Sequence, residues 1–204
     1  KPHSDEFYKY EAIQYFQNYW NIDAPDFVAM LGNALKKQTN LLFYGYLGTI
    51  QKVASRFPEQ TQQQFQKLFD EGKELLARMN VFERTIDSLM KQIDPERSGM
   101  QDERAMAVYL TFRYPDKYYF FKDSFYTKFV ELFNEKKAAK GLKYAHYIWL
   151  CDEFKEKYVF RDKELWQITN ATLPPTAWPD ASRNVLTQDI LYCGLDQYQS
   201  VNYW

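Results

Sequence analysis

The chain has 204 residues, a formal net charge of −1, 46% apolar side chains, 19% aromatic ones and only seven glycines. That apolar fraction excludes wholesale disorder, and the near-neutral balance excludes a histone-like polycation. Many rings and few glycines argue for helices with bulky interfaces and against a glycine-rich nucleotide-binding sheet.

In chain order, Ser4-Asp5-Glu6 predicts a capped helix over 4–20, because Phe7, Tyr8, Glu11, Ala12, Tyr15, Phe16 and Tyr19 recur at steps of three and four. Pro25 predicts the start of a second helix carrying Phe27, Met30, Leu31, Ala34 and Leu35. The aromatic stretch Thr39–Thr49, with two glycines, predicts a packed loop or a short helix. Pro58-Glu59 then opens the longest pattern in the chain. Phe65, Leu68, Gly72, Leu75, Met79, Phe82, Ile86, Leu89 and Ile93 form a heptad-like seam that stops at Asp94-Pro95. This is the spine of a bundle or, with Phe65, Leu68, Leu75, Met79, Phe82, Ile86 and Leu89 facing outward, a surface for a partner. Phe69, Leu76 and Met90 widen the stripe, which favours the spine. Gly72 is the expected point of a kink or hairpin.

Pro95–Gly99 predicts a turn and the best internal boundary. Gln101–Phe112 reads as a helix, and Tyr114–Lys117 as a turn. The all-aromatic Tyr118–Phe121 reads as an extended segment. Asp123 or Ser124 caps the next helix, which the basic run Lys136–Gly141 closes. Tyr144–Tyr158 is another amphipathic helix, Leu173–Pro179 a loop, and a last short helix runs near Thr187–Leu195.

Several chemistries find no footing. There is no phosphate-binding GxxxxGK[ST] loop, no GxGxxG, no HExxH and no GxSxG. His3 and His146 are the only histidines, so neither a metal nor a cofactor is expected. Pro115-Asp116 followed by Glu135-Lys136-Lys137 formally spells PD…ExK, a metal-dependent nuclease pattern. That use needs ExK on a core strand, and the triplet falls on a charged helix end. Cys151 and Cys193 form no disulfide framework and fit buried thiols in a reducing, cytoplasmic setting. No apolar run approaches the roughly 20 residues that span a bilayer, so no membrane partner is expected. Lys1 is not a methionine and the chain ends on Tyr203-Trp204, so it reads as a piece of a longer protein.

The informative stretch is Arg113–Lys143. It holds eight basic and four acidic residues, with nine aromatics interleaved. Basic side chains hold phosphates and exposed rings stack on bases. Arg113, Lys117, Lys122 and Lys128 are the candidate phosphate contacts, and Tyr118, Tyr119 and Phe121 the candidate base readers. The competing reading makes those rings core and the lysines a solvated helix end.

The run Arg113-Tyr114-Pro115-Asp116-Lys117-Tyr118-Tyr119-Phe120-Phe121-Lys122 resembles the region ahead of the motor in McrB-like AAA+ proteins, the NTPase subunits of modification-dependent restriction systems. Tyr10–Asp26, Asn40-Leu41-Leu42 with Phe65–Glu71, Asp102–Ala105 and Leu186–Tyr192 carry the rest of the likeness. The resemblance implies a single N-terminal module of a longer protein over 1–204, divisible into a helical half, 1–97, and a basic, aromatic half, 98–204. It implies a module that senses DNA, methylated or not, without being an enzyme itself. The motor would be a homo-oligomeric NTPase lying beyond Trp204 and recruiting a nuclease subunit. The alternative is an interaction or oligomerisation module that recruits that nuclease or senses a phage protein. The expected fold is mainly α: a compact bundle with one long helix or helical hairpin over about 59–94, and at most a short two-stranded ribbon near 118–122.

Overall fold

The computed structural model describes residues 6–197. They are mainly helical and contain no β-strand. In order, the helices are α1 (Phe7–Tyr19), α2 (Phe27–Ala34), α3 (Tyr44–Arg56), α4 (Pro58–Leu68), α5 (Leu75–Ile93), α6 (Glu103–Arg113), α7 (Asp123–Leu132), α8 (Lys143–Phe154), α9 (Lys163–Thr172) and α10 (Asn184–Tyr192). A wider helical turn follows α8 at Lys155–Val159, and another follows α10 at Cys193–Gln197. Ser4 and Asp5, the expected caps of the first helix, lie outside the described residues.

The heptad-like seam runs as two helices, α4 and α5, packed on each other as a hairpin. Gly72 lies in the turn, but its neighbours make the break. Asp70 accepts the Gly72 amide through Oδ1 at 3.0 Å, and Glu74 caps α5 by accepting from Leu76 and Ala77 at 2.9 and 2.7 Å. Those two amide bonds also pull the Glu74 carboxyl below its usual range. The partner-surface reading of the seam is corrected here. Phe65, Leu68, Met79, Phe82, Ile86 and Leu89 are buried and Leu75 is half-buried, so the seam is the bundle's spine. Phe65 sits at its centre, with Trp20, Phe69, Phe82 and Tyr109 rings 5.2–5.8 Å away.

The ribbon is absent for a stated reason. Residues 118–121 lie inside the protein, where their carbonyls need donors. Side chains supply them: Tyr144 Oη donates to Tyr119 O at 3.0 Å and Gln188 Nε2 to Phe120 O at 2.6 Å. A second strand is not required.

The 94–102 loop does not separate two bodies. One continuous core runs through both halves, and α1 packs against α6 as well as α2. The loop itself is pinned on α5. The Gly99 amide donates to Asp87 Oδ1 at 2.9 Å, and a Cβ at Gly99 would stand 2.6 Å from the Asp87 backbone nitrogen, so only glycine fits. Asp102 caps α6 through the Arg104 and Ala105 amides. Helix α7 stops at Leu132, leaving the basic run 133–142 as a loop and not a helix end. Two helical stretches escaped the periodicity: α3 runs on to Arg56, and α9 has no buried residue at all.

Candidate functional site

The sequence-predicted residues do not form one site. Tyr118, Tyr119 and Phe121 are buried at 2%, 1% and 6% exposure, so Tyr118 and Tyr119 offer no face to a base and Phe121 reaches only the wall of a cavity. Their stacking role is corrected accordingly. The Tyr118 hydroxyl donates to Glu71 Oε1 at 2.7 Å and accepts from Arg78 Nη2 at 2.8 Å. Buried Arg78 also donates to Leu68 O and Glu71, joining the hairpin turn to the aromatic run. Burial raises the Glu71 carboxyl, but Lys117, Tyr118 and Arg78 outweigh it and hold the carboxyl below its ordinary value. Lys117, one of the expected phosphate contacts, is thus an ion-pair partner of Glu71. Lys128 donates to Leu195 O at 2.8 Å, tying α7 to the last turn. Arg113 lies over the Tyr114 ring, 5.1 Å from its centroid, at a separate cleft with Trp20 and Phe69.

Phe121 and Lys122 do share a cavity with residues the periodicity did not single out. It encloses about 370 Å³ between the start of α1, the 120–125 segment and α10. Tyr8, Phe120, Phe121, Phe125 and Tyr192 wall it, and Lys9, Arg104 and Lys122 bring positive charge. Lys9 is already neutralised: its ammonium lies 2.6 Å from Asp189 Oδ1 and 2.5 Å from Glu6 Oε2. Burial disfavours that charge, but Asp189 and Glu6 more than reverse the effect and the Lys9 pKa is raised. Burial pushes the Asp189 carboxyl up to about 6 against the pull of Lys9.

The other two cations differ. Among the described residues, neither the Arg104 guanidinium nor the Lys122 ammonium has an ion-pair or hydrogen-bond partner. Lys122 lies over the Phe125 ring, 4.4 Å from its centroid, and that ring in turn packs on Tyr192 at 5.2 Å. A cation held on an aromatic face is positioned without being neutralised. On the floor, Gln188 anchors its amide nitrogen to Phe120 O.

The cavity assembles from α1, α6, the 120–125 segment and α10, which no single periodic pattern links. Neither Arg104 nor Lys9 stands in any of the periodic sequence patterns. The PD…ExK residues sit on loops: Asp116 in the 114–117 turn, Glu135 and Lys137 in the 133–142 loop. Among the described residues no group of three or more His, Cys, Asp or Glu is placed to hold a metal ion. Cys151 is buried, and that burial raises its thiol; Cys193 is half-buried and both are free thiols. No described helix is long and apolar enough to cross a membrane. No family model, curated protein or solved structure matches the chain.

Proposed function

We propose that this chain is the target-sensing, nucleic-acid-binding module of an McrB-like restriction motor, cytoplasmic and not itself catalytic. The observation that carries this reading is the pairing of Arg104 and Lys122: two cations without partners among the described residues, at one aromatic-walled cavity. In a chain of net charge −1, cations left uncompensated at one mouth are the natural seat for a phosphate backbone. Lys122 and Arg104 hold two phosphates there and set the strand's register. The motor belongs to the full-length protein, which recruits the nuclease as a separate subunit.

The test is binding of labelled single-stranded, duplex and methylated duplex oligonucleotides at several salt concentrations, with Arg104→Glu/Lys122→Glu as the comparison. The wild-type duplex affinity should fall with salt. Two lost phosphate contacts should flatten the slope of log K against log salt by about 1.8. Absence of binding to every oligonucleotide at low salt, or an unchanged slope in the double variant, overturns the reading.

A further inference from the structure

A second surface combines rings and lysines, and here the ring is open. Leu142, His146 and Trp149 sit at i, i+4 and i+7 along α8, and Trp149 is 49% exposed. The indole lies nearly parallel to the His146 imidazole, at 12° and 5.7 Å between centroids. The imidazole is itself fixed. The Tyr126 hydroxyl accepts the Ala138 amide at 2.7 Å and is hydrogen-bonded to His146 Nδ1 at 2.9 Å.

The same hydroxyl fastens the 133–142 loop beside this pair of rings. Asn134 and Gly141 turn the loop with φ of 53° and 85°. Between them stand the exposed Lys136, Lys137 and Lys140. Lys137 meets Glu131 at 3.3 Å, an exposed pair with little energetic weight. Lys136 and Lys140 have no ion pair among the described residues, although Glu135 follows Asn134 and Lys140 acts electrostatically on Glu83.

We propose that the Trp149 face is a stacking platform for unpaired nucleotides, with the strand's phosphates resting on Lys136 and Lys140. It shares the ligand class of the nucleic-acid reading but none of the cavity's residues. Every base has a π-face, so a flat, half-open indole backed by a parallel ring accepts any of them. The neighbouring lysines supply the backbone charge. The His146 imidazole and the three lysines keep the rim polar, which suits a stacked base with its phosphate better than acyl chains.

The experiment measures fluorescence anisotropy of a labelled thymidine single strand of about 12 nucleotides, and of a duplex of equal length. Trp149→Ala should weaken single-strand binding by at least about fivefold while duplex affinity stays within about twofold. Trp149→Phe, which keeps a stacking face, should restore most of the loss. Lys136→Gln/Lys140→Gln should weaken single-strand binding at low salt and flatten its salt dependence. Trp149 is exposed, so these variants fold, and circular dichroism checks that they do. Equal loss on both oligonucleotides, no loss in Trp149→Ala, or no single-strand binding by the wild type overturns the proposal. So does Trp149-dependent binding to vesicles containing about 30% phosphatidylserine in the absence of oligonucleotide binding. The two readings fail separately. Single-strand binding that survives Arg104→Glu/Lys122→Glu supports the platform even if the wild type binds no duplex.

Discussion

Tyr118–Phe121 and Leu142–Trp149 are both ring-bearing stretches beside lysines. In the fold they are opposites. The first is sealed: Tyr119 is 1% exposed, its hydroxyl is 2.7 Å from Asp152 Oδ1, and its carbonyl is capped by Tyr144. The second presents Trp149 half open on a helix face. What separates them is the company of the backbone. An irregular segment can enter a core only where side chains satisfy its polar groups, and Tyr144 and Gln188 do this for 118–122. A helix satisfies its own backbone, so α8 is free to bury Tyr144, Tyr147 and Cys151 on one side and leave Trp149 outside on the other.

The largest test of that contrast is a matched pair of truncations. Tyr119→Ala removes a fully buried ring and leaves a cavity, and should cost about 3–5 kcal/mol of unfolding free energy. Trp149→Ala removes a larger ring but should cost less than about 1 kcal/mol, because half of its surface is already in water. Urea or guanidinium unfolding of the two variants decides it. Similar losses would mean that the exposed indole is held by packing and is not a free platform.

This contrast also marks how far the sequence is readable. The helical class was legible because the apolar steps of three and four in α1, α2, α4, α5 and α6 face one shared core. The break at 69–74 was legible as a location, since Gly72 interrupts the seam, although its mechanism lies in the Asp70 turn and the Glu74 cap. The aromatic run was legible as core only as one of two readings, since rings flanked by lysines fit an exposed binding strip as well. Its burial depends on Gln188, Asp152 and Arg78, which lie tens of residues away. The cavity was illegible for the same reason. Lys9, Arg104, Lys122 and Gln188 meet only once α1, α6 and α10 have packed, and α9 escaped because it has no buried stripe to announce it.

A second test changes pH. Asp180 is fully buried, and that burial pushes its carboxyl up to about 7, against the pull of the Leu186 and Val185 amides it caps at 2.9 and 3.1 Å. This cap starts α10, which delivers Gln188 to the sealed segment. In the unfolded chain the same carboxyl titrates near 4. Between those values the folded state holds more protons than the unfolded one, so Asp180 lowers stability as pH rises from about 4 to 7, by at most about 1.4 kcal/mol per pH unit. Asp180→Asn should remove that part of the slope while costing one cap bond at every pH. Denaturant midpoints measured from pH 4 to 8 give the answer, and an identical slope in the variant would mean that Asp180 ionises freely.

The smallest expected effect probes the open region through the Tyr126 hydroxyl. Tyr126 is buried, and its hydroxyl is the side-chain group that links the Ala138 amide of the 133–142 loop to the His146 ring. Tyr126→Phe keeps the ring and deletes that atom. The Ala138 amide then turns to water, since Ala138 is only half-buried, and His146 Nδ1 loses its hydrogen-bond partner. The net cost should be about 0.5–1.5 kcal/mol, the usual worth of such a bond. The informative readout is local. Hydrogen exchange at Ala138 should accelerate by about an order of magnitude, for about 1.4 kcal/mol lost per tenfold, while amides in α4 and α5 keep their protection. If single-strand binding weakens in parallel, the lysine loop must be docked beside Trp149 for the platform to work. If binding is unchanged while exchange rises, the lysines reach the strand from a loosened loop, and stacking on Trp149 alone sets the affinity.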